Sequence, residues 1–111
     1  MKFALPTYNK KLCAHFGHCQ EFAIIETDQN NNILKEEWLS PPEHQPGVYP
    51  NWLASLNVDC VIAGGMGVRA KSMMESKGVN VIVGAPEEEP KTIVEKYLSG
   101  ELETGNNTCD H

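Results

Sequence analysis

The sequence predicts an α/β domain built on a mixed sheet, and three observations carry that prediction. The first half alternates short apolar runs with turn-forming clusters. The second half alternates helically spaced apolar residues with short apolar runs. A proline-rich connector separates the two. Three antiparallel strands, then helix, strand, helix, strand and helix, give a mixed five-stranded sheet covered by helices.

Each element follows from local chemistry. Residues 2–6 (Lys-Phe-Ala-Leu-Pro) form a short apolar strand that Pro6 is expected to end, because proline has no N–H to give a sheet ladder. Residues 7–21 show no hydrophobic period and read as an irregular loop. Residues 22–26 and 33–39 are strands joined through the Asn- and Asp-rich segment 28–32, whose side chains tolerate left-handed turns, so they form an antiparallel hairpin. Residues 40–47 hold Pro41, Pro42 and Pro46 and serve as the connector. Residues 48–56 carry apolar side chains at 48, 49, 52, 53 and 56, a helical spacing with Pro50 in the first turn. Residues 58–63 form a buried strand, 68–77 a helix stopped by Gly78, and 79–83 a second strand. Strand, helix and strand make a βαβ unit with parallel strands and a right-handed crossover. Residues 90–99 form the last helix, with Ile93, Val94, Tyr97 and Leu98 on one face and Glu87 to Glu89 at its start. A single domain spans residues 1–100, and residues 101–111 are expected to be a flexible tail. This element order is that of a ribonuclease-H-like fold.

Composition narrows the function. A chain of 111 residues with 41% hydrophobic and 22% charged content has room for one domain. A net charge of -6 repels phosphate backbones, so the reading is of no nucleic-acid partner. No apolar run approaches the roughly 18 to 20 residues needed to cross a bilayer, and the N-terminus has no signal-like apolar region, so the expectation is a cytoplasmic protein without a membrane partner. Four cysteines, at 13, 19, 60 and 109, are then expected as free thiols or metal ligands rather than a disulfide framework.

The densest chemical signal is Cys13-Ala14-His15-Phe16-Gly17-His18-Cys19, which puts two thiols and two imidazoles on one loop. Such side chains bind zinc, copper(I) or iron-sulfur clusters, although the C-x5-C spacing matches neither a zinc knuckle nor common ferredoxin runs. Cys13 and Cys19, in a polar loop, are expected to be accessible. The chain ends Cys109-Asp110-His111, and an extended Cys-x-His places both ligand atoms on one side, so the tail is a second candidate; the bland alternative is an untied terminus. Cys60, inside an apolar strand, reads as an inert core thiol.

Gly64-Gly65-Met66-Gly67-Val68-Arg69-Ala70 follows a strand and opens a helix, where backbone N–H groups and the helix dipole hold anions. From Gly65 it also satisfies G-x-G-x-x-A. A dinucleotide site places that turn after the first strand of a longer parallel array, whereas here three antiparallel strands precede it. It therefore reads as a glycine-dictated turn with anion affinity, with Arg69 and Lys71 supplying positive charge. A ribonuclease-H-like fold also raises nuclease chemistry, but two-metal cleavage needs converging carboxylates and the first strand carries none.

Together these segments resemble a known family. His15-Phe16-Gly17-His18-Cys19 before Phe22-Ala23-Ile24-Ile25, then residues 61–70 with Gly-Met-Gly-x-Arg-Ala, then Gly78-Val79-Asn80-Val81 and Tyr97-Leu98-Ser99-Gly100, resemble the dinitrogenase iron-molybdenum cofactor biosynthesis family over nearly the whole chain. The resemblance implies a ribonuclease-H-like fold and a small non-catalytic carrier of an iron-sulfur or iron-molybdenum type cluster, or of a precursor. It also implies cluster-assembly or cluster-receiving partners, a P-loop ATPase among them in some members. By position, His15 matches the family histidine of the first loop, and glycines 64, 65 and 67 form the facing turn. Cys13 stands where many members have Ser, and Cys19 and the Cys109 to His111 ending occur in only some. Metal candidates are thus Cys13, His15, His18, Cys19, Cys109 and His111, and cofactor-binding candidates Gly64, Gly65, Met66, Gly67 and Arg69. The competing function is a nucleotide- or small-anion-binding regulatory module using the turn from Gly65 to Ala70.

Overall fold

The computed structural model describes residues 1–43 and 47–105. The elements run β1 (Lys2–Tyr8), β2 (Lys11–Leu12), a 3₁₀ turn (Phe16–His18), β3 (Glu21–Thr27), β4 (Ile33–Leu39), α1 (Val48–Ser55), β5 (Cys60–Ile62), α2 (Val68–Ser76), β6 (Asn80–Ile82) and α3 (Pro90–Ser99). The sheet order is β4-β3-β1-β5-β6, with β2 alongside β1. β4, β3 and β1 are antiparallel neighbours, and β1, β5 and β6 are parallel, as the reading of three antiparallel strands followed by parallel ones requires.

Two expectations are corrected. The sheet has six strands rather than five, because residues 11–12 fold back on β1 with Thr7 opposite Leu12 and Tyr8 opposite Lys11. Asn9 and Lys10 both take positive φ, 52° and 68°, which is the two-residue hairpin turn whose twist suits antiparallel strands. A two-residue strand is too short to print a period in the sequence. Pro6 also does not end β1, which continues to Tyr8 with Pro6 opposite Phe22. A strand residue turns its N–H and C=O to the same side, and the Pro6 carbonyl faces away from β3 to accept the Cys13 N–H at 2.8 Å. Its missing N–H therefore falls where β1 changes neighbours, between β5 at Phe3 and Ala4 and β2 at Thr7, and breaks no ladder bond.

Period-two alternation sorts the strands onto two cores. Ala4, Phe22, Ile24 and Val61 face α1 and α2, where Tyr49, Leu53, Met66 and Met74 meet them. Phe3, Leu5, Ala23, Ile25, Cys60 and Ile62 face α3, where Ile93 and Val94 pack. Cys60 is fully buried there, as expected of a core thiol. At the outer edge, β4 places Lys35, Glu36 and Glu37 in sequence, and its register shifts by one residue beside Leu34, both devices that discourage strand addition.

The first core contains an edge-to-face aromatic cluster centred on Phe22, whose ring lies 5.8 Å from Phe16, 5.5 Å from Tyr49 and 5.3 Å from Trp52. These contacts tie the 3₁₀ turn to β3 and α1 beyond what area burial alone contributes. Phe22→Ala should cost about 3–5 kcal/mol of unfolding free energy in urea titration, and the loss should exceed that of Trp52→Ala, because Phe22 touches three rings and Trp52 lies at the rim.

Candidate functional site

The site grows from the parallel pair β1 and β5. Their carboxyl ends point the same way, but the chain leaves β1 toward β2 and β3 and leaves β5 toward α2 and β6. Such a divergence opens a crevice beyond the strand ends, the usual ligand position in open α/β sheets. Two segments occupy it, residues 13–19 and residues 64–67.

They meet backbone to backbone. The Phe16 N–H donates to the Gly65 carbonyl at 3.0 Å. A Cβ built on Gly64 would lie 3.1 Å from the Ala14 Cα and 3.1 Å from the Cys13 carbonyl oxygen. A third segment laces in, because the Gly84 N–H donates to the Gly64 carbonyl at 2.9 Å. The His15 loop and the glycine turn, read separately from the sequence, are thus neighbours at one end of the sheet.

The structure treats the candidate residues differently. His15 is exposed and extended (φ -127°, ψ 121°), the residue before the 3₁₀ turn. Phe16 turns inward against Tyr49, ring centroids 5.6 Å apart, and so anchors the loop. Cys19 is half-buried, and Cys13 is buried, contrary to the expectation that both thiols of a polar loop are accessible. The physical reason is the double tether of this segment: the Cys13 N–H bonds to Pro6, its carbonyl lies against Gly64, and its thiol donates to the His15 carbonyl at 3.1 Å. Gly64 and Gly65 are buried, Gly67 and Arg69 exposed, and Met66 is fully buried in the first core. The His18 side chain, Cys109 and His111 lie outside the described residues. Among the described residues no three His, Cys, Asp or Glu side chains converge as a metal-holding group.

The C-terminal segment nonetheless reaches this end of the molecule. Residues 101 and 102 bond to the Lys96 carbonyl at 2.8 and 3.1 Å, and the Gly105 N–H donates to the Gly84 carbonyl at 2.7 Å. Gly84 has φ +81°, and any Cβ there would collide with the Gly105 backbone, so only glycine allows this approach.

Sequence reasoning missed Tyr49. Its helical spacing placed it on a core face, and it is 5% exposed, but its ring also belongs to the aromatic cluster against which Cys19 packs. Cys19 is pushed up to about 12, chiefly by burial and then by the neighbouring Cys13, with its own backbone N–H and the Tyr49 hydroxyl opposing. Burial, followed by Asp59, pushes Cys60 up to about 11. At neutral pH these sulfurs are thiols rather than thiolates, so a metal that binds Cys19 must displace a proton.

A family model described as dinitrogenase iron-molybdenum cofactor matches residues 1–100. An uncharacterized protein of Methanocaldococcus jannaschii is 28% identical over 109 residues, covering 93% of this chain and 90% of its own length. Among solved structures, a candidate dinitrogenase of the same organism superposes with a TM-score of 0.77 at 19% identity, covering 96% of both chains. The apo form of the orange protein of Desulfovibrio gigas superposes with a TM-score of 0.68 at 16% identity, covering 96% of this chain and 93% of that one. These structures share the fold.

Two outcomes follow from the geometry. Gly64→Ala forces its methyl against the Cys13 and Ala14 backbone, which has no side-chain end to yield, and should cost about 1–3 kcal/mol in denaturant unfolding, whereas Gly67→Ala, with open space around it, should cost far less. Raised thiol values favour the protonated form in the folded chain, so their stabilisation is complete below about pH 9 and declines as pH rises toward 12. Stability measured across that window should fall, and Cys19→Ser should flatten the fall.

Proposed function

The chain belongs to the dinitrogenase iron-molybdenum cofactor family, and from that premise we propose that it is a small non-catalytic carrier or scaffold for an iron-sulfur or iron-molybdenum type metallocluster. One observation carries the reading: the loop bearing Cys13, His15 and Cys19 is bonded to the glycine turn at the crevice between β1 and β5. Sulfur and imidazole suit a metal-sulfide cargo, and backbone N–H groups of a glycine-rich turn suit its sulfide and negative charge. The donor set fits cargo better than a resident cofactor. It is sparse, its Cys19 sulfur is protonated when free, and His15 is exposed, so ligation costs a proton and is readily reversed by a competing ligand. A closed four-thiolate site would retain its metal instead.

In this reading His15 and Cys19 supply the primary ligands, with Cys13 beside them and His18 on the same 3₁₀ turn. Gly64, Gly65, Gly67 and Arg69 face the cargo's negative charge, and Met66 packs in the first core beneath them. The Gly105 N–H bonds to the Gly84 carbonyl at this end of the molecule, and Cys109 and His111, which lie outside the described residues, are the auxiliary ligands of this reading. Cluster-assembly and cluster-receiving proteins, including a P-loop ATPase, are the partners such a carrier serves.

Anaerobic reconstitution with iron(II) and sulfide tests this. The wild-type chain should develop visible charge-transfer absorbance, a His15→Ala, Cys19→Ser variant should lose most of it, and a chain ending at Gly105 should keep most of it. Colour lost on truncation but kept by the loop variant would move the site to the tail. A chain that stays colourless but takes up a nucleotide, followed by ultraviolet absorbance, would favour an anion-binding module on the turn from Gly65 to Ala70.

A further inference from the structure

The two edges of the sheet are built differently. β4 carries Lys35, Glu36 and Glu37 in sequence and a register shift, whereas around β6 the chain holds no charged residue between Lys77 and Glu87. Val81, Ile82 and Val83 are only half-buried, so an apolar strip follows this second edge. A regular, uncharged edge strand offers its main chain to another strand. Hydrogen bonding fixes which groups are offered. On the β5 side, the Asn80 N–H donates to the Asp59 carbonyl at 3.0 Å, the Ile82 carbonyl accepts from Ala63 at 2.8 Å, and the Gly84 N–H donates to Gly64 at 2.9 Å. No peptide bond is cis, and a trans peptide points its N–H opposite its C=O. The Val83 N–H and C=O therefore point to the open side, and strand alternation sends those of Val81 the same way. Among the described residues β6 pairs with β5 alone.

We propose that this edge joins two copies of the chain, β6 of one pairing antiparallel with β6 of the other about a two-fold axis at Ile82. The outward groups select this register. Val81 faces Val83 of the second copy and exchanges both N–H···O bonds with it, and the two-fold repeats the exchange. The two Ile82 residues meet across the axis as the closer, non-hydrogen-bonded pair, which covers apolar surface that each copy leaves half-exposed. Antiparallel pairing also lays the entry to one β6 beside the exit from the other. Lys77 precedes the strand and Glu87 follows it; both are exposed, and neither is ion-paired among the described residues. Each copy thus presents a cation where the other presents an anion, on both sides of the axis. Parallel pairing would instead set Lys77 beside Lys77. The sheet runs through both copies, and the charged β4 strands form its two outer ends.

Sedimentation velocity of the full chain, from dilute to concentrated solution, should show a monomer passing into a dimer. Amide hydrogen exchange followed by NMR over the same range locates the interface. The Val81 and Val83 amides should gain about tenfold or more protection as the dimer forms, while the Asn80 amide, bonded to Asp59, should be protected throughout. Lys77→Glu and Glu87→Lys each set like charges together at both ends of the pairing and should weaken association roughly tenfold, with circular dichroism verifying the fold. The double swap, Lys77→Glu with Glu87→Lys, should restore it. A chain that stays monomeric at every concentration would overturn the proposal, as would a dimer in which Val81 and Val83 gain no protection. Singly weakened variants that the double swap does not rescue would overturn the antiparallel arrangement. Protection of both amides already complete in the dilute monomer would also overturn it, and would make the chain's own residues beyond 105 the occupant of this edge.

Discussion

The contact on which the candidate site depends is the approach between Gly64 and the backbone of Cys13 and Ala14. A side chain at position 64 would stand 3.1 Å from two main-chain atoms, and main chain cannot rotate out of the way as a flexible side-chain end can. Everything at the carboxyl end of the sheet depends on this contact. It lets Phe16 reach the Gly65 carbonyl, it buries Cys13, and through the bond from Gly84 to Gly64 it draws the β6 loop and then Gly105 to the same place.

Around that contact the fold divides its labour between its two faces. The α3 face is an ordinary apolar core in which Cys60 is fully buried and chemically silent. The face under α1 and α2 is richer in aromatic rings, and its edge-to-face cluster both supports the 3₁₀ turn and packs against Cys19. The loop is thereby preorganised at both ends, by Pro6 through Cys13 and by Thr7 through Gln20 at 2.8 Å, so that ligation need not order it.

The electrostatics agree with a site that takes up and releases. A half-buried thiol pushed up to about 12 is a poor ligand until a metal offsets the loss of its proton, and a good leaving group when the proton returns. With a net charge of -6 over the chain, the attraction for anions that the proposed carrier needs would come from local N–H groups and from Arg69 and Lys71 beside the turn. Lys10 is otherwise occupied, paired with Glu21 at 3.0 Å and lying 4.4 Å from the centre of the Trp38 ring.

The sequence by itself determined what depends on neighbours along the chain. Short apolar runs bounded by turn-forming residues assigned the strands, helical spacing assigned α1, α2 and α3, and the neighbouring Val58, Val61 and Ile62 marked Cys60 as core. The cluster of Cys and His residues and the glycine turn were legible as chemistry for the same reason, since each is a short contiguous motif. Only the tertiary structure decided what depends on residues far apart in the chain. It decided that residues 11–12 are a strand, because a two-residue pairing gains its bonds from β1 and not from its own pattern. It decided that Pro6 can sit inside β1, because its missing N–H falls between two neighbours. It buried Cys13 while leaving Cys19 half-exposed, a difference that composition could not express because both lie in one polar loop. And it set Cys19 against an aromatic cluster drawn from three separate elements, because long-range side-chain packing leaves no local signature for a sequence to display.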